Sequence, residues 1–124
     1  MNKRILLIED NEQNCYLATF LLSARGWEVV HAEDGPSGIA LAGQSDPALI
    51  LLDIQLPGMD GYAVARALRL EPRLKNIPII AVTSYAMAGD RERCLAAGCN
   101  GYIEKPIDPE TFAADVEQFI QGAV

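Results

Sequence analysis

The sequence predicts an α/β fold: a parallel sheet of five strands, doubly wound by five helices, in the order 2-1-3-4-5. Three observations carry that expectation. Short apolar runs alternate with helix-period segments five times at a steady spacing, and such alternation builds parallel strands joined by right-handed helical crossovers. The run from Ala48 is unbroken and apolar up to its closing Asp53, as in a strand covered on both faces. Finally, 124 residues, half of them hydrophobic, suffice for one domain with its own core.

The elements follow in order. Arg4 to Glu9 is a short apolar run closed by acids. From Asn11 to Arg25, Leu17, Phe20, Leu21 and Ala24 mark one helix face, and Gly26 supplies a left-handed stop. Trp27 to His31 has the aromatic and β-branched content of a strand. Gly35-Pro36 opens a second helix to about Gly43, and Asp46-Pro47 turns the chain. After the third strand, Pro57-Gly58 turns and Asp60 caps a helix to about Leu70. Pro78 precedes a fourth strand, Ile79 to Thr83, and a helix from about Met87 to Ala97 stops at Gly98. Asn100 to Glu104 is a short fifth strand. Asp108-Pro109 starts the last helix as N-cap and first helical residue, with Phe112, Val116, Phe119 and Ile120 on one face.

Charge and composition exclude several function classes. Ten Lys plus Arg against 17 Asp plus Glu give a formal net charge of −7, the wrong sign for a phosphate backbone or an anionic leaflet. No apolar run approaches the ~20 residues of a membrane span, and the N-terminal run ends too early for a signal peptide. Cys15, Cys94 and Cys99 lack ligand-like spacing and read as free thiols of a cytoplasmic protein. The chain is expected to form one domain from residue 1 to residue 124, with no linker or output module.

In a sheet of this order, ligands bind at the carboxyl ends of the strands where the winding reverses. Strand 1 ends in Glu9-Asp10, strand 3 in Asp53 and strand 4 in Thr83, while Lys105-Pro106 follows strand 5. Any one of these has an ordinary structural explanation, as helix cap, β-branched strand residue or turn. Together they would make a defined chemical centre. Three gathered carboxylates repel unless a cation joins them. A hard ion such as Mg²⁺ suits that donor set, whereas zinc would want His or Cys. Lys105 adds a compact positive charge. Asp53 then becomes a nucleophile able to take a phosphoryl group as an acyl phosphate.

The motifs Ile8-Glu9-Asp10-Asn11, Leu52-Asp53-Ile54-Gln55-Leu56-Pro57-Gly58-Met59-Asp60-Gly61, Ala81-Val82-Thr83 and Tyr102-Ile103-Glu104-Lys105-Pro106 resemble those of response regulator receiver domains of two-component signalling. The likeness covers essentially the whole chain. Among receivers it is strongest to DivK-type single-domain regulators and to the receivers of hybrid kinases. It implies a flavodoxin-like (βα)5 fold, a phosphoacceptor at Asp53, and Mg²⁺ held by Glu9, Asp10, Asp53 and the backbone carbonyl of Gln55, whose side chain need not matter. It further implies that Thr83 moves onto the phosphoryl oxygen, that Lys105 pairs with it ahead of a cis bond to Pro106, and that Tyr102 turns on activation. Implied partners are a histidine kinase or histidine phosphotransfer protein and a downstream effector protein, met by the fourth helix, fifth strand and fifth helix. Alternatively the phosphate is passed on.

Other residues carry plainer expectations. An aromatic such as Tyr102 on an edge strand also serves as half-buried packing. Met59 and Asp60 build the turn and cap, and Gly61 lets a helix pack closely. Tyr85 and Ala86 are loop, Cys94 and Cys99 are small semi-buried thiols, and Arg91 and Arg93 form a solvated face. His31 is placed away from the site. Two other classes share parts of the pattern. An aspartyl-phosphate phosphohydrolase would need Asp-x-Asp after the first strand, and a flavin-mononucleotide carrier would need a Ser/Thr/Gly-rich loop there. A scaffold with a receiver fold would have no need of the clustered acids.

Overall fold

The computed structural model describes residues 2–84 and 88–122. The expectations for Tyr85 and Ala86, and a helix start at Met87, lie outside those residues. Five parallel strands form one sheet: β1 (Arg4–Ile8), β2 (Glu28–Ala32), β3 (Leu49–Asp53), β4 (Ile79–Thr83) and β5 (Gly101–Glu104). Their order is β2-β1-β3-β4-β5, as the alternation predicts. The helices between and after them are α1 (Glu12–Ser23), α2 (Gly35–Ser45), α3 (Gly61–Leu70), α4 (Ala88–Ala96) and α5 (Phe112–Gly122).

Alternate strand residues point to opposite faces, and the core divides accordingly. Leu6, Ile8, Ile50, Leu52, Ile79 and Ala81 pack with residues of α2, α3 and α4. Ile5, Leu7, Leu49, Leu51, Ile80 and Val82 pack with residues of α1 and α5. Every residue of β3 and β4 is buried, whereas β5, at the edge, is half-exposed.

Caps explain most boundaries. Asn11, Asp34 and Asp60 accept from the backbone amides of Asn14, Ser37 and Tyr62 and so start α1, α2 and α3. After α1, Trp27 N donates to Leu22 O and Gly26 N to Ser23 O, with Gly26 at φ 90°. This is the Schellman arrangement, and it occupies the Trp27 amide, so β2 begins one residue later than the pattern predicts. Gly98 (φ 110°) ends α4 the same way, through Cys99 N to Cys94 O and Gly98 N to Leu95 O.

The buried face of α1 is set by Ala18 and Leu22, while Phe20 and Ala24, expected on that face, are exposed. The other differences are small. β1 stops at Ile8, leaving Glu9 just past the strand, and α2 runs on to Ser45, where Asp46 takes a left-handed conformation at φ 53°. Asp108 caps a turn instead of the helix proper: its side chain accepts from Glu110 N and its carbonyl from Thr111 and Phe112 N, so α5 begins at Phe112. A 3-10 turn at Pro72–Leu74, absent from the sequence reading, starts at Glu71, which accepts from Arg73 N.

Candidate functional site

The register converts the strand order into a site. Ile8 pairs with Leu52, Asp53 with Val82, and Thr83 with Glu104. The residues that follow β1 and β5, and those that close β3 and β4, therefore meet at one edge. Carboxylate oxygens of Glu9, Asp10 and Asp53 all lie within 4.8 Å of one another. Lys105 Nζ stands 3.4 Å from Glu9 Oε1 and 3.3 Å from Asp53 Oδ2. Glu9, Asp53 and Thr83 are buried and Asp10 is exposed, so the cluster has a floor of protein and one acid turned outward.

Electrostatics follow from that crowding. Burial, reinforced by the hydrogen bond and negative charge of Asp53, pushes the Glu9 carboxyl up to about 7, against the pull of Lys105 and the Asn11 amide. Lys105 can balance only one of the three carboxylates when all are ionised. The deficit is two positive charges, and the donors are all hard oxygens, so the residues present fit a small divalent cation.

Backbone bonds hold the acids in place. Gln55 N donates to Asp53 Oδ1 at 2.9 Å, and Asn11 N to Glu9 Oε2 at 3.2 Å. Lys105 N donates to Thr83 O at 2.8 Å, tying the ends of β4 and β5 together. The Lys105-Pro106 bond is cis, as the resemblance implies. Tyr102 sits on β5, half-buried, apart from the acid cluster, and packs against the α2–α3–α4 side of the core. It also lines a groove of about 560 Å³ among α4, β5 and α5, with Arg91, Leu95, Glu104 and Phe119.

Two residues differ from the sequence reading, and a third, on the solvated face expected of it, gains a contact. His31 is not remote: its Nε2 lies 2.7 Å from Glu9 O and, facing a carbonyl, must donate. The signal was available in the strand order, since β2 neighbours β1 and His31 pairs with Leu7. The side chain of Gln55 is engaged, its Oε1 accepting from Ser84 N and Oγ. Arg93, though exposed, places its guanidinium 4.3 Å from the centre of the Tyr62 ring.

Comparison with known proteins agrees with this geometry. Residues 5–117 match the family model "Response regulator receiver domain". The polar-differentiation response regulator DivK of Brucella ovis is 40% identical over 123 residues, which are 99% of this chain and 100% of that protein. The receiver domain of sensor histidine kinase PA1611 from Pseudomonas aeruginosa, with a magnesium ion coordinated in its active site cleft, is 35% identical, with a TM-score of 0.88 over 98% of this chain and 99% of its own. Chemotaxis protein CheY4 of Vibrio cholerae is 25% identical with a TM-score of 0.91, covering 96% and 99%. The phosphohydrolase and flavin-carrier alternatives give way to these matches. A sheet whose strand ends gather three acids and a lysine, and a family match spanning nearly the whole chain, make this protein a member of the response regulator receiver domain family, phosphorylation-dependent signalling modules that assist their own phosphoryl transfer and are not substrate-turnover enzymes.

Proposed function

We propose that Asp53 accepts a phosphoryl group from a phosphohistidine on a histidine kinase or histidine phosphotransfer protein. The N–P bond breaks as an Asp53 oxygen bonds to phosphorus. The electron pair returns to the imidazole nitrogen, which takes a proton from water. The observation that carries this reading is the convergence of Glu9, Asp10 and Lys105 on Asp53.

Glu9, Asp10, Asp53 and the Gln55 backbone carbonyl are the groups that would hold Mg²⁺, and the related Pseudomonas receiver holds magnesium in its cleft. When bound, the ion supplies positive charge to the phosphoryl oxygens. Lys105 offers its ammonium to an oxygen of the same group, and Thr83 its hydroxyl to another. Such contacts exist only in the phosphorylated state, so they shift a two-state equilibrium. Tyr102 follows Thr83, and the groove among α4, β5 and α5 presents a changed surface to an effector protein, or the phosphate is passed on. The domain acts in the cytoplasm through protein partners, without direct contact to nucleic acid or membrane.

A small phosphodonor with Mg²⁺ tests the centre of this reading. One phosphoryl group per chain is expected on the wild type and none on Asp53→Asn, read by intact-protein mass spectrometry with circular dichroism to confirm folding. Labelling retained at that position in Asp53→Asn would overturn it.

A further inference from the structure

The ladder between β3 and β4 ends in an unusual way. Ile54 N donates to Val82 O, and the next rung of a parallel ladder would run from Ser84 N to Ile54 O. That carbonyl accepts from Gly61 N instead, at 3.3 Å, where α3 begins. The Gln55 carboxamide supplies the missing acceptor: Ser84 N reaches Gln55 Oε1 at 3.2 Å and Ser84 Oγ reaches the same atom at 2.6 Å. Gln55 is itself fixed, because its backbone amide donates to Asp53 Oδ1. On the other side, Thr83 O is held by Lys105 N.

We propose that Gln55 is a positioning residue whose side chain restrains Thr83, by clasping the residue that follows it to the loop that follows Asp53. The inference rests on the reading of Asp53 and Thr83 given above. In this proposal Ser84 follows when Thr83 travels toward a group on Asp53, and the clasp lengthens. An interaction made in one arrangement and weakened in the other biases the equilibrium toward the first. Gln55 thus opposes the phosphorylated arrangement, and its loss favours that arrangement.

The test titrates beryllofluoride, a phosphoryl mimic, with Mg²⁺ into the full chain and follows amide hydrogen exchange at Ser84. Gln55→Met keeps the length of the side chain and removes the acceptor. It should bind beryllofluoride roughly three- to tenfold more tightly, the range set by one or two solvent-accessible hydrogen bonds, and Ser84 N–H should exchange faster. Ser84→Ala should gain less, and the double variant should match Gln55→Met, since the hydroxyl has lost its partner there. Unchanged or weaker affinity in Gln55→Met, or a double variant that sums the two gains, would refute the clasp. Wild-type protein that takes up no beryllofluoride would sink the underlying reading of Asp53, whereas exchange at Ser84 reports on the clasp alone.

Discussion

At the scale of single residues, burial decides chemistry more than residue type does. Cys99 is buried, and desolvation, helped by Cys94 and opposed by Arg69, pushes its thiol up to about 12. Only the thiolate is nucleophilic, so alkylation of Cys99 in the native state should run roughly a thousandfold below a free thiol near pH 8, while half-buried Cys15 reacts first. Mass mapping after a timed iodoacetamide pulse checks the order, and early labelling of Cys99 contradicts it. Arg69 shows the opposite use of burial. Its guanidinium donates to the carbonyls of Gly98, Leu74 and Ile77 and to Asn100 Oδ1, and so joins α3 to the loop that precedes β4 and to the loop that precedes β5. Nothing in the sequence announced that role, because backbone carbonyls carry no sequence signal. Asp53, Thr83 and Lys105 were legible for the converse reason: in a parallel sheet the site lies where strands end, and strand ends can be counted.

At the scale of elements, close approach sets what the loops can do. A Cβ at Gly61 would stand 2.4 Å from Ile54 Cα, a backbone atom that cannot swing aside as a side chain can. Gly61→Ala should therefore cost about 1–3 kcal/mol, measured by urea denaturation, and it should disturb the loop after Asp53 because the same contact spaces α3 from it. A change within 0.3 kcal/mol would show that the loop yields freely. The cap at Asp60 was readable, since a short polar side chain before apolar periodicity has few other uses, whereas the caps at Asn11 and Asp34 emerged only with the fold. The engagement of Gln55 was not readable. Its partner, Ser84, lies 29 positions away, and no local pattern relates the two.

At the scale of the whole molecule, one polar cluster closes the first part of the chain on the last. Trp27 Nε1 donates to Glu117 Oε2 at 2.9 Å, Arg25 pairs with the same carboxylate, and Lys3 Nζ sits 4.3 Å over the Trp27 ring. The indole hydrogen bond foremost, then Arg25, holds the Glu117 carboxyl below its usual range, against some desolvation. A group depressed in the folded state contributes stability above its unfolded value near 4.5 and loses it as pH falls through the folded value. Glu117→Ala should thus cost about 1–2 kcal/mol near neutrality and less in acid, so thermal melts of the two proteins should converge as pH falls below that unfolded value. Parallel curves at all pH values would contradict the assignment. Among the described residues no helix is long and apolar enough to cross a membrane.

The unequal cover of the sheet has a consequence of its own. Asp53 and Thr83 close the two strands that are buried along their whole length, while Tyr102 stands on the half-exposed margin. Local opening is cheapest where apolar contact is thinnest. On the proposed reading, a signal written among the fully covered strands is read out at a thinly covered margin, so the domain can change its outer surface without unfolding the framework that receives the message.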